Sequence, residues 1–87
     1  MKAEVTNISA TGIWILLDDI EKFLSYVNFP WFQHATVFQI IQVERLSPHH
    51  LYWPDLDVDI HTDAIDHPER YPLRAKVVLP ETTRQPV

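Results

Sequence analysis

The first 25 residues constrain the fold most strongly, because they read as three short β-strands separated by brief turns. The patterns cover Ala3 to Ser9, Ile13 to Leu17 and Ile20 to Ser25. Val5 and Ile8 are the expected buried anchors of the first strand. Strands joined by such short turns can pair only antiparallel, since a parallel pair needs a long crossover. The segment therefore predicts an antiparallel meander.

Two turns are expected inside this meander. Gly12, the only glycine of the protein, stands between two strand patterns. A lone glycine in that setting predicts a tight hairpin in which φ is positive. The pair Asp18-Asp19 predicts the second turn. Trp14 is expected to pack under the sheet.

The middle of the chain mixes helical and extended signals. Pro30, inside the aromatic run from Asn28 to Phe32, suits the first position of a helical turn. Thr36 is expected to cap a short helix. A strand from about Gln42 to Ser47, with Val43 and Leu46 inward, should follow. A single strand from Val37 to Leu46 is the competing interpretation.

Short elements continue toward the end of the chain. Leu51 to Trp53 predicts a strand that Pro54 must end or push to a sheet edge, and Val58 to Ile60 is extended again. Thr62 is expected to cap a helical turn over residues 63–66. The order of elements predicts a small α+β fold, with an antiparallel sheet and one or two short helices.

Length and composition predict one small domain. The 87 residues favour a single unit over 1–79 and a loose tail over 80–87. There is no cysteine, which excludes disulfides and thiolate zinc sites. No segment resembles a secretion signal, and the longest apolar run, Gly12 to Leu17, is too short to cross a bilayer. We therefore expect a cytoplasmic protein that does not enter a membrane.

Charge is unevenly placed along the chain. The formal net charge is −5, and no Lys or Arg occurs from Leu46 to Glu69. The residues from Arg70 onward are basic by contrast, with Arg74, Lys76 and Arg84 against the single acid Glu81. DNA-backbone binders need a broad positive surface, so we expect no direct nucleic-acid binding. The basic arm is expected to meet the acidic segment, within one chain or across a dimer.

The acidic segment contains the stretch WPDLDVDIH, residues 53–61. If it is extended, Asp55, Asp57 and Asp59 share one face with His61, and the apolar residues between them share the other. Alternate positions of a strand lie about 6.5–7 Å apart. Like charges at that spacing must be solvated, neutralised by bases or bridged by a cation.

Metal binding and catalysis are two chemical interpretations of this row. The stretch lacks the glycine and the distal acid of a calcium loop. Asp57, Asp59 and His61 could form a small metal-dependent hydrolase, yet no nucleophile motif, phosphate loop or oxyanion glycine accompanies them. We therefore predict no enzyme, no metal and no cofactor. The acids then form a polar surface that is available for recognition.

Histidines and aromatic residues add weaker signals. His49 and His50 are expected to be an exposed turn pair, with metal ligation as the alternative. His61 and His67 flank the capped turn and are expected to make local hydrogen bonds. Trp31 is expected in the core or as a partly exposed anchor for a partner. Trp53 is expected to pack under the sheet, and it is also assigned to the partner-binding set with Trp31 and the three aspartates.

Four motifs together resemble a known bacterial group, the domain of unknown function 2442 family. They are FPWF, the Ala35-Thr36 pair, LYWPDLDVDI and HPERYPL. The match runs from about Thr11 to Leu73, and its most specific part is the Trp53-Pro54 pair with the acids that follow it. The family pattern often has more glycine before Trp-Pro, where this chain has Ser47-Pro48-His49-His50.

The resemblance implies a small α+β domain with no established enzymatic activity, found alone or ahead of a helix-turn-helix. Fourteen residues follow Leu73, too few for a helix-turn-helix, so we expect none. The family implies a bacterial source and, for its stand-alone members, a partner encoded beside them, as in toxin–antitoxin pairs. We therefore expect a protein-interaction or regulatory module of an antitoxin-like kind. A structural homodimer, in which the arm from Arg74 to Leu79 pairs with the neighbour, is the other alternative.

Overall fold

A computed structural model describes residues 2–71 of the chain. The predicted arm over residues 74–79 and the predicted tail over 80–87 lie outside the described residues, as does most of the basic segment.

The described part is an α+β fold with two three-stranded antiparallel sheets, which confirms the predicted class. The first sheet contains β1 (Ala3–Ile8), β2 (Gly12–Leu17) and β3 (Ile20–Ser25), and the second contains β4 (Glu44–Ser47), β5 (His50–Trp53) and β6 (Val58–His61). Each sheet is a meander in which the middle strand of the sequence is also central in space. The later strands thus form a sheet of their own instead of adding to the first.

Short helical segments connect and follow the sheets. They are a 3₁₀ turn over Pro30–Phe32, helix α1 over Val37–Ile41, helix α2 over Asp63–Asp66 and a 3₁₀ turn over Pro68–Arg70. Pro30 occupies the first turn of its segment, as predicted. The Thr36 hydroxyl accepts a hydrogen bond from the Gln39 amide while the Gln39 side chain accepts one from the Thr36 amide, a capping box that confirms the predicted cap. The competing strand from Val37 to Leu46 is therefore wrong.

Both sheets and α1 contribute to one hydrophobic core. The largest completely buried side chains are Trp53, Phe32, Ile13, Ile15, Leu24, Ile40 and Leu51. Trp53 packs edge-on against Phe32, with ring centroids 4.8 Å apart. Its indole N–H donates to the carbonyl of Ile40 at 2.8 Å. That carbonyl lies in the last turn of α1, where backbone acceptors lack helical partners, so the indole joins β5 to the end of the helix.

Two predictions about the first sheet are wrong. Gly12 does not have a positive φ; the chain needs glycine there because an added Cβ would lie 2.4 Å from the carbonyl oxygen of Leu24 and 2.6 Å from the Phe23 ring. Trp14 lies opposite Phe23 across β2 and β3, on the face away from Ile13 and the core. Successive side chains of a strand point to opposite faces, so Ile13 and Trp14 cannot both point inward.

Within the first sheet, the turn between β2 and β3 is the one with left-handed backbone. Asp18 and Asp19 have φ values of 50° and 70°, the combination of a two-residue hairpin whose twist matches its strands. The Asp18 carboxylate accepts two hydrogen bonds from the nearly buried Arg45 guanidinium, at 2.9 and 3.0 Å. Arg45 also donates to the carbonyl of Pro48 at 2.9 Å, so it connects turns of the two sheets.

Two smaller predictions also fail. Leu46 is 55% exposed, because the pairing of β4 with β5 shifts register between Arg45 and Ser47. Thr62 precedes α2, but its side chain makes no capping hydrogen bond, since its φ and ψ are already helical. An N-cap residue typically has an extended backbone conformation, from which its hydroxyl reaches the helix amides.

Candidate functional site: an acidic turn beside an aromatic cleft

The predicted acidic row is only partly a strand. The chain turns over residues 54–57, which we call the acidic turn, and β6 begins at Val58. The amide of Leu56 donates to the Trp53 carbonyl at 3.2 Å, and Asp57 has a φ of 52°. Pro54 has no N–H for a sheet ladder, and aspartate tolerates left-handed φ better than most residues. The alternation of Asp55, Asp57 and Asp59 along one strand is therefore wrong.

The predicted exposure of the acids is nevertheless confirmed. Asp55 and Asp57 are exposed in the acidic turn, and Asp59 is exposed on β6. Val58 and Ile60, on the opposite face, are 6% and 4% exposed and belong to the core. The segment therefore keeps an apolar side and an anionic side, although only its second half is extended.

Tyr52 borders the acidic turn. Its hydroxyl donates to Asp57 Oδ1 at a long 3.4 Å. Its partial withdrawal from water raises the pKa of Tyr52, and the nearby negative charge of Asp57 raises this pKa further. Both effects disfavour the phenolate, so Tyr52 remains a neutral hydrogen-bond donor beside the turn.

A cleft of about 720 Å³ opens next to the second sheet. Its walls come from three parts of the chain: the segment around the first 3₁₀ turn, the β4–β5 hairpin with β6, and the segment from α2 to the last described residue. Its lining residues include Phe29, Trp31, His49, His50, Asp59, His61, Glu69 and Tyr71. Binding pockets for small molecules have volumes in this range.

Histidine and tyrosine rings form one side of the cleft. The His61 ring lies between His49 and Tyr71, with centroid distances of 5.8 and 6.2 Å and interplanar angles of 7° and 16°. His61 Nδ1 accepts a hydrogen bond from the amide of Asp63 at 3.0 Å, which confirms its predicted local role. The Tyr71 hydroxyl donates to Asp63 Oδ2 at 3.1 Å.

Polar contacts hold two further histidines, His50 and His67. His50 Nε2 forms a hydrogen bond with Asp59 Oδ1 across the β5–β6 pair. His67 Nδ1 lies 3.5 Å from Glu69 Oε2. Within residues 2–71, no group of three or more His, Asp and Glu side chains is arranged to hold a metal ion. The cleft thus presents imidazoles and carboxylates as hydrogen-bonding groups.

The two tryptophans of the predicted partner-binding set have different environments. Trp31 lines the cleft and is half-buried, with its ring centroid 6.3 Å from that of Phe29. Trp53 is completely buried between β5 and α1. It cannot touch a partner from that position, so its assignment to the partner-binding set is wrong. Its predicted place under a sheet is confirmed.

A family model described as a protein of unknown function, DUF2442, matches residues 3–71. The chain belongs to the DUF2442 family. No curated protein and no solved structure gives a match. Over the described residues, this DUF2442 chain has no helix that is both long enough and apolar enough to span a membrane.

The motifs that carried the resemblance mostly build the DUF2442 fold. Phe29 and Trp53 are core residues, Pro30 begins a 3₁₀ turn, and Thr36 caps α1. The segment that departs from the family pattern, residues 47–50, supplies His49 and His50 to the cleft. Sequence spacing could not reveal the cleft, because its walls lie up to 43 positions apart, from Asn28 to Tyr71.

Proposed function

We propose that this protein is a non-enzymatic protein-interaction module that binds a basic partner surface through the acidic turn and the cleft beside it. The observation that carries the proposal is the exposed group of Asp55, Asp57 and Asp59 at one end of the second sheet. Neither Asp55 nor Asp57 forms an ion pair with any residue between 2 and 71. Within the described residues, no base competes with a partner for the charges of Asp55 and Asp57.

Charge and apolar surface have separate roles in this proposal. Complementary charge sets the encounter rate and the choice of partner more than the affinity. Affinity comes from aromatic anchors in desolvated positions, and the half-buried Trp31 offers such an anchor. A partner encoded beside this chain, in an antitoxin-like or regulatory arrangement, agrees with what the family resemblance implies. It is the first protein to assay.

The test compares two triple variants that remove the same charge from different surfaces. The first variant is Asp55→Asn/Asp57→Asn/Asp59→Asn. Its matched control is Glu4→Gln/Asp19→Asn/Glu21→Gln, which changes three exposed acids in the strands and the second turn of the first sheet. Titration calorimetry with the neighbouring-gene product, or with a protein that co-purifies from native cells, measures affinity at two salt concentrations. We expect the first variant to weaken binding at least about tenfold and the control to leave it unchanged. Equal affinities for all three proteins would contradict the proposal.

A metal-dependent hydrolase is the alternative from another class. Asp59 and His61 share one face of β6, which favours this alternative, whereas Asp57 lies outside the strand. A ligand that binds the folded state raises the melting temperature. Thermal melts with divalent cations and with chelator therefore separate the two ideas. A cation-dependent rise that Asp59→Asn abolishes would favour the hydrolase, and unchanged melts would count against it.

A homodimer is favoured by one exposed surface. Val37, Phe38 and Ile41 are 63%, 65% and 48% exposed on α1. A dimer would withdraw these side chains from water. Light scattering of the wild-type chain and of Phe38→Glu tests this alternative. A wild-type dimer that the substitution dissociates would support it, whereas a monomer in both cases would count against it.

A further inference from the structure

The cleft has walls suited to a flat, positively charged group. Trp31 and Phe29 line it, and so do the rings of His49, His61 and Tyr71, in which His61 is nearly parallel to each of the other two. Aromatic faces carry negative electrostatic potential and attract cations that lie over them. The Tyr71 ring is held by its hydroxyl bond to Asp63, and His61 by its bond from the Asp63 amide. Their common orientation therefore does not depend on a ligand.

The charges around the cleft also favour a cation. Two carboxylates, Asp59 and Glu69, line it, and within the described residues no Lys or Arg does. Three basic side chains of the described residues are paired with acids: Arg70 lies 3.4 Å from Asp63, Lys22 lies 2.8 Å from Asp66, and Arg45 lies 2.9 Å from Asp18. A carboxylate beside an aromatic wall strengthens attraction to a positive group, since both effects have the same sign.

Of the two carboxylates, Glu69 is the more available. Asp59 already has a hydrogen bond with His50, whereas Glu69 is exposed and its Oε2 is 3.5 Å from His67 Nδ1. That separation is at the limit of a hydrogen bond. A ligand could therefore pair with Glu69 without first breaking the hydrogen bond between His50 and Asp59.

We propose that the cleft binds the guanidinium group of an arginine side chain that the partner presents. Guanidinium is planar, so it stacks on aromatic and imidazole faces, and its fork of N–H donors matches a carboxylate. A lysine ammonium is a compact, strongly hydrated point charge that cannot stack. This inference rests on the proposed function, and it names the group on the partner that enters the cleft.

The test uses a defined small probe and does not require the partner. The full chain, labelled with ¹⁵N, is titrated with N-acetyl-arginine amide and followed by NMR chemical shifts. N-acetyl-citrulline amide is the matched probe, because it has almost the same shape without the charge. We expect arginine to shift amides of residues that line the cleft, with a Kd on the order of 1–10 mM, as suits a single side chain. Citrulline should bind at least about tenfold more weakly, because it lacks the charge attracted by the ring faces and carboxylates.

Two further variants locate the binding. Glu69→Gln should weaken arginine binding at least about fivefold, because it removes a charged acceptor. The control is Glu44→Gln, which should leave arginine binding unchanged because Glu44 is on β4 and does not line the cleft. The titration is repeated on Arg74→Gln, because Arg74 follows Tyr71 by three residues in the sequence and has the same guanidinium group as the probe. Shifts confined to the cleft in either protein support the inference.

Two outcomes overturn the inference. The first is that the arginine probe changes no amide chemical shift of the cleft residues, in either the wild-type chain or Arg74→Gln. The second is that the arginine and citrulline probes bind with equal affinity. The proposed function is judged separately by the triple aspartate variant. If that variant loses its partner while arginine does not bind the cleft, the interaction module stands and the arginine site falls.

Discussion

The contact between Trp53 and α1 supports a quantitative prediction. In Trp53→Phe the aromatic ring against Phe32 is kept, but the indole N–H that donates to the Ile40 carbonyl at 2.8 Å is removed. Both Trp53 and Ile40 are buried, at 0% and 1% exposure. The carbonyl has no helical donor at the end of α1, so the substitution leaves a buried acceptor without a partner.

The expected cost has two parts. An unsatisfied buried acceptor costs about 1–3 kcal/mol, and the volume lost from a closely packed core adds roughly 1 kcal/mol. We therefore expect the free energy of unfolding to fall by about 2–4 kcal/mol. For a domain of this size, 1 kcal/mol corresponds to about 4–8 °C in melting temperature. The substitution should lower the melting temperature by roughly 8–32 °C.

The measurement is urea unfolding followed by far-UV circular dichroism, with thermal melts in parallel. The matched control is Trp14→Phe, because Trp14 lies on the outer face of the first sheet and packs only against Phe23 among the ring contacts of residues 2–71. We expect that control to cost less than about 1 kcal/mol. A loss below about 0.5 kcal/mol in Trp53→Phe, or equal losses in both variants, would refute the stabilising role of the indole N–H.

Three further predictions concern the first sheet. Gly12→Ala should lower the free energy of unfolding by about 1–3 kcal/mol in urea titrations, since the new Cβ would meet the backbone oxygen of Leu24 at 2.4 Å; an unchanged midpoint would contradict the close approach. Asp19→Gly should raise it by about 0.5–1 kcal/mol, because glycine adopts the φ of 70° without strain; a loss of stability would contradict the turn geometry. The hydrogen bonds from Arg45 lower the pKa of Asp18 below its ordinary value of 3.8. A carboxylate with a lowered pKa in the folded state stabilises the fold at pH values above its ordinary pKa, and this stabilisation is lost as pH falls through the folded pKa. Asp18→Asn should therefore be less stable than the wild type at pH 7, and the difference in stability should shrink in acid. A difference that does not change with pH would contradict the pairing of Asp18 with Arg45.

Local order along the chain was readable from the sequence. The three strands of the first sheet, the cap at Thr36 and the end of β5 at Pro54 all follow from alternation, side-chain hydrogen bonding and the missing proline N–H. The apolar and anionic sides of residues 58–61 follow from the two-residue period of a strand. These signals act over a few residues, so one segment contains all the information they need.

Tertiary structure decided the features that depend on contacts between residues far apart in the sequence. Gly12 is required by the backbone of Leu24 and not by its own φ. A partner-binding role for Trp53 would require its indole to be exposed, but the indole is buried and its N–H donates to a carbonyl of α1. The cleft exists because the two ends of residues 28–71 meet beside β6. Packing brings such groups together through space, and composition or periodicity within one segment cannot encode which distant neighbour will be met.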